Sequence, residues 1–129
     1  MAIKILIVED DNTMRTLIHK LLRFEGFEVK ELSNDEDLNG ILSAIRREKP
    51  TAILLDVHLT QIDGFELLHC IRRDQDIKDT YVIMSSGIDL GERCLSEGAN
   101  RFLLKPCMPE DLINEIHKAV REYNWRNRV

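Results

Sequence analysis

A chain of 129 residues, 43% hydrophobic and 32% charged, is long enough to bury one substantial core, and it is expected to form a single domain over residues 1–129 with no effector domain. Its net charge of −5 argues against general affinity for nucleic acid, which depends on neutralising phosphates. No run approaches the roughly 18 apolar residues of a membrane span. The start "MAIKILIVEDD" has no apolar segment followed by a small-residue cleavage site, so a cytoplasmic location is expected. The arginines of the terminal "REYNWRNRV" read as a solvated helix end. Cys70, Cys94 and Cys107 are odd in number and form no CxxC pair, which favours reduced packing residues over a zinc or redox centre.

Strands and helices alternate along the chain. "IKILIV" (3–8) is an apolar run suited to a buried strand. Met14, Leu17, Ile18, Leu21 and Leu22 recur at helical spacing from Thr13 to Phe24, with Asn12 as the expected N-cap. Gly26 ends that helix, and "FEVKEL" (27–32) alternates as a strand. Ser33 to Glu36 has the form of a capping box ahead of Leu38, Ile41, Leu42 and Ile45. "TAILL" (51–55) is the third strand, and Asp63-Gly64 opens a helix carrying Phe65, Leu67, Leu68 and Ile71. "YVIMSS" (81–86) is the fourth strand and "RFLL" (101–104) the fifth. Pro109 starts a last helix with Leu112, Ile113, Ile116, Ala119 and Val120 on one face.

Five strands alternating with five helical segments imply an α/β fold, a parallel sheet with right-handed crossovers and helices on both faces. Ligands of such sheets bind beyond the carboxyl ends of the strands. Four of those ends are polar: Glu9-Asp10-Asp11, Asp56, Ser85-Ser86 and Lys105-Pro106. Carboxylates gathered at one edge repel one another unless a cation joins them, and Mg2+ (or Mn2+) suits such hard oxygen ligands while leaving positions for phosphate oxygens. Asp10 and Asp56 are then the expected direct ligands, with Glu9 acting through water. A carboxylate in that setting can attack phosphorus to give an acyl phosphate, with Lys105 neutralising phosphoryl charge and the Ser86 hydroxyl hydrogen-bonding it.

The motifs "ILIVEDD", "LLDVHLTQIDG", "VIMSSG" and "FLLKP" resemble, in order and over essentially the whole chain, the receiver domain of two-component response regulators. The resemblance implies a flavodoxin-like doubly wound sheet of order 2-1-3-4-5. It implies Asp56 as phosphoacceptor, Glu9, Asp10, Asp56 and the backbone carbonyl of His58 around the metal, and Ser86, Lys105 and Phe102 as phosphoryl-sensing and switch residues. It further implies amide contacts from Val57 and Gly87 to the phosphoryl group and a cis peptide bond before Pro106. His58 and Ile88 flank the phosphoryl group in this family and are expected to tune its lifetime. A histidine kinase or phosphotransfer protein would be the donor and an effector protein the target; a homodimer is left open. Such a chain is not an enzyme in the ordinary sense, but a phosphoacceptor that assists its own phosphorylation and dephosphorylation.

Two departures stand out. The family commonly has Met-Pro where Leu59 and Thr60 stand, so the loop after the third strand is expected to be looser. The stretch from Gly87 to Asn100 is short, and a short or irregular fourth helix is expected, about Leu90 to Glu97. Among rival readings, a haloacid-dehalogenase-like phosphohydrolase would want an acid where His58 stands, and a nucleotide or flavin module would want a phosphate-binding loop after the first strand. A pseudo-receiver that binds partners without being phosphorylated would lack a carboxylate or the lysine, and all of them are present.

Overall fold

The computed structural model describes residues 3–32 and 36–126. Five strands, β1 (Lys4–Val8), β2 (Glu28–Glu31), β3 (Ala52–Asp56), β4 (Tyr81–Ser86) and β5 (Arg101–Leu104), form one sheet in the order β2-β1-β3-β4-β5. All neighbouring pairs are parallel. The helices α1 (Asn12–Phe24), α2 (Leu38–Glu48), α3 (Gly64–Arg73), α4 (Gly91–Ser96) and α5 (Pro109–Arg126) alternate with the strands.

Side chains alternate across a strand, so a sheet covered on both faces divides its apolar residues into two layers. Leu6, Val8, Ile53, Leu55, Val82 and Met84 face a layer completed by Ile41, Ile45, Leu67, Leu68 and Ile71 of α2 and α3. Ile5, Ile7, Leu54, Tyr81 and Ile83 face the other, with Leu22 of α1 and Leu112, Ile116 and Ala119 of α5. The central strand β3 is buried along its whole length. Truncating a fully buried leucine there, such as Leu55, removes about 2–5 kcal/mol by lost burial and the cavity left behind.

Helix boundaries follow side-chain caps. Asp11, rather than Asn12, is the N-cap of α1, its carboxylate accepting from the Met14 amide at 2.9 Å. The box expected from Ser33 to Glu36 falls partly outside the described residues; α2 is capped by Asp37, which accepts from Gly40 N at 2.8 Å. Asp63 caps α3. Lys49 ends α2 in the left-handed region at φ 47°, an uncommon conformation for a residue with a Cβ. The fourth helix is short, as expected, with six residues and no side-chain cap. Its following turn is held by Arg72, which donates to the carbonyls of Gly98, Lys78 and Thr80 and to Asn100 Oδ1.

Candidate active site

Register places the polar strand ends together. β3 pairs Asp56 with Ser85 of β4, and β4 pairs Ser86 with Leu104 of β5, so Asp56, Ser86 and Lys105 sit at successive ends of neighbouring strands. Glu9 follows β1, which pairs Val8 with Leu55. Glu9, Asp56 and Ser86 are buried, the carboxylates at 6% and 9% exposure, where unpaired charge is costly.

Lys105 supplies the compensation. Its Nζ lies 2.6 Å from Glu9 Oε1 and 3.3 Å from Asp56 Oδ2. Burial alone would lower the lysine pKa, but its hydrogen bond to Glu9 and the charges of Glu9 and Asp56 hold it above the ordinary value. Glu9 is nonetheless raised, first by burial and then by the neighbouring Asp56 carboxylate, against the opposing pull of Lys105. One ammonium does not fully satisfy two facing carboxylates, and the pocket favours further positive charge.

The loop after β3 closes over this edge. The His58 amide donates to Asp56 Oδ1 at 3.1 Å, and the Gly64 amide to Val57 O at 3.0 Å. Gly64 is favoured by its surroundings: a Cβ there would lie 2.6 Å from Asp56 O and 2.8 Å from Val57 Cα, both backbone atoms that give way only at a cost. The Thr60 amide donates to Asp10 Oδ2. A proline at that position has no N–H, so the departure expected to loosen the loop also adds a tie between it and the end of β1. Nearby, Arg15 of α1 donates to the Glu9 carbonyl at 2.8 Å and to Glu31 Oε1 at 2.8 Å. Neither Arg15 nor the Thr60 amide was legible as part of the site, since no spacing rule singles out either group.

Lys105-Pro106 is cis, and Phe102 is half-buried against the layer that holds α3 and α4, its ring beside Gly91. Ile88 is 62% exposed, and its amide donates to Ser86 Oγ at 3.0 Å. The His58 side chain crosses the site to place Nε2 3.0 Å from the same Oγ. Gly87 borders open space. One expected contact needs correction. The Val57 amide, assigned to a phosphoryl oxygen, already donates to Ser85 O at 2.9 Å, because the β3–β4 ladder continues one residue beyond Asp56. The amide that faces the carboxylate is that of His58.

Metal ligation is less preformed than the motif implied. Among the described residues, no three acidic, histidine or cysteine side chains gather closely enough to hold an ion directly. Asp10 is tied to Thr60, and Glu9 and Asp56 share Lys105. The chemistry of the donor set still fits a hard divalent cation, since two buried carboxylates face one another with a charge deficit. The remaining histidines lie elsewhere: His19 pairs with Glu31, His69 with Glu97 at 2.8 Å, and His117 sits tilted against Phe27, ring centroids 5.8 Å apart. Cys94 is buried, Cys70 half-buried and Cys107 exposed. Among the described residues, no helix is long and apolar enough to cross a membrane.

Comparison with known proteins agrees with this geometry. The family model of the response regulator receiver domain matches residues 5–117. The response regulator MprA of Mycobacterium leprae is 33% identical over 123 residues, which cover 92% of this chain and 51% of that protein. The chain spans about half the length of the curated relatives it matches. The crystal structure of a CheY-like response regulator receiver domain from Methanospirillum hungatei superposes with a TM-score of 0.85 at 28% identity, covering 98% of this chain and 100% of that one. The receiver domain of the sensor histidine kinase PA1611 from Pseudomonas aeruginosa, solved with a magnesium ion coordinated in its active-site cleft, gives 0.81 at 28% identity over 93% of this chain and 98% of its own. Sequence match, strand order and the acidic edge with its lysine lead to one conclusion: the chain belongs to the response regulator receiver family.

Proposed function

We propose that this chain is a phosphoacceptor switch in which Asp56 receives a phosphoryl group from the phosphohistidine of a partner kinase or phosphotransfer protein. The observation that carries this reading is the placement of Lys105 Nζ between two buried carboxylates at the carboxyl edge of the sheet, 96 positions from Glu9 in sequence. Relatives named as response regulators and a magnesium-bearing structural neighbour support it.

Asp56 attacks phosphorus in line, an acyl P–O bond forms, and the P–N bond to the partner's imidazole breaks, returning its electron pair to the ring. Lys105 shifts from the carboxylates toward the phosphoryl oxygens, and the His58 and Gly87 amides lie along the same edge. Glu9, Asp10, Asp56 and the His58 carbonyl would hold Mg2+, which supplies charge neutralisation for the transferring oxygens. Asp10 would give up its Thr60 contact to take that role. Ser86 then turns toward the phosphoryl group and Phe102 moves into the space released, altering the surface of α4, β5 and α5. That surface exposes Leu95 and Leu104, with Ile88 beside it, as apolar contacts for an effector. Hydrolysis of the acyl phosphate by water resets the switch.

The test is direct. Incubation with acetyl phosphate and Mg2+ should add one phosphoryl mass to the intact protein, and Asp56→Asn should abolish the gain. A wild-type protein that stays unmodified and does not respond to beryllofluoride would favour a partner-binding module that is not phosphorylated.

A further inference from the structure

The Ser86 hydroxyl already has two partners before any phosphoryl group arrives. Its oxygen accepts from the Ile88 amide at 3.0 Å and lies 3.0 Å from His58 Nε2. Ser86 is completely buried, and among the described residues no buried side-chain polar atom lacks a partner. A hydroxyl has one hydrogen and two acceptor positions. With one acceptor position filled by Ile88, the contact with His58 is made either by the serine O–H donating to Nε2 or by an Nε2–H donating to Oγ. In both tautomers Oγ is fixed between the imidazole and the Ile88 amide, and both arrangements break when it moves toward Asp56.

His58 is well placed for this role. Its amide donates to Asp56 Oδ1 at 3.1 Å while its ring holds the hydroxyl at the end of the neighbouring strand. One residue therefore touches the carboxylate through its main chain and the sensing serine through its side chain. The residue is otherwise exposed, so its ring returns to water when the contact opens and little of the fold depends on it.

Resting on the phosphoacceptor reading above, we propose that His58 is a positioning residue that latches Ser86 in its resting orientation, so that the switch turns only when the phosphoryl group outcompetes the imidazole. The ring sets the threshold for activation, while the His58 main chain keeps its place beside Asp56. It assigns a direction to the effect of this position: removing the ring makes the active state easier to reach.

The experiment is a beryllofluoride titration at saturating Mg2+, followed by backbone amide NMR, on wild type, His58→Ala, His58→Gln, Ser86→Ala and the His58→Ala/Ser86→Ala pair. His58→Ala should bind about fivefold more tightly than wild type, the factor that one net hydrogen bond of ordinary strength contributes. His58→Gln, whose amide reaches about as far as Nε2, should return toward wild type. On the Ser86→Ala background the effect of His58→Ala should vanish, because the group it restrains is gone. If wild type binds beryllofluoride and His58→Ala binds equally or more weakly, the latch is wrong while the phosphoacceptor reading stands. An effect of His58→Ala that persists without the serine hydroxyl also overturns it. A wild-type protein that binds no beryllofluoride overturns the phosphoacceptor reading, and the latch with it.

Discussion

Replacing Lys105 by methionine keeps most of the side chain's apolar length and removes the ammonium between Glu9 and Asp56. Its nitrogen is 2.6 Å from one carboxylate and 3.3 Å from the other, and those carboxylate side chains are only 5% and 11% exposed. Breaking a buried ion pair from one side costs about 3–5 kcal/mol, because the remaining charge is stranded. Two features lower that figure here. The lysine side chain is 23% exposed, so water reaches the gap, and Glu9, already inclined to hold a proton, can neutralise itself. A loss of about 2–3 kcal/mol is expected near neutral pH, which for a chain of this size lowers Tm by roughly 10 °C. The assay is thermal unfolding by circular dichroism in chelator, repeated with Mg2+, and on an Asp56→Asn background. Mg2+ should narrow the gap by replacing the missing charge, and Asp56→Asn should shrink it, since one stranded carboxylate is gone. A Lys105→Met protein as stable as wild type in chelator, or a gap unchanged by Asp56→Asn, would refute the claim that the lysine compensates both carboxylates.

Thr60→Pro removes the amide that ties Asp10, and should tighten Mg2+ binding about tenfold by calorimetry, whereas Thr60→Ala, which keeps the N–H, should match wild type; weaker binding by the proline variant would contradict the tie. The raised Glu9 pKa gives a signed pH dependence. A group whose folded pKa lies above its unfolded value adds stability below the unfolded value and loses it as pH rises through the folded one, so Glu9→Gln should gain stability relative to wild type across that rise in chelator, measured by denaturant unfolding. A stability difference that stays flat with pH would mean that the proton is not held. Gly64→Ala should destabilise the protein by about 1–3 kcal/mol and weaken beryllofluoride binding, because the new methyl displaces the backbone of Asp56 and Val57; unchanged binding would show that the loop relaxes elsewhere.

The order of elements and the identity of the polar strand ends were legible from the chain alone. "AILLD" suits a strand buried on both faces that delivers a carboxylate to its end, and the apolar spacings of α1, α3 and α5 suit packed helices. Periodicity is a local property, and burial enforces it. Caps were less legible, because Asp11 and Asn12 are both good N-caps and the choice depends on where the chain leaves β1. The family resemblance supplied strand order and the cis peptide bond, which no local pattern encodes.

Only the tertiary structure decided which atoms meet. The parallel register set Asp56 beside Ser85 and so committed the Val57 amide to the β3–β4 ladder, leaving the His58 amide to face the carboxylate. The same closeness of strand ends brought His58 Nε2 to Ser86 Oγ and the Thr60 amide to Asp10, pairs 28 and 50 positions apart. Hydrogen bonds act over about 3 Å and depend on direction, whereas a sequence pattern specifies only faces and ends of elements. A sequence can therefore bring the right groups to one edge of the sheet, but which of them are tied to one another at rest is settled by distances that exist only once all five strands are side by side.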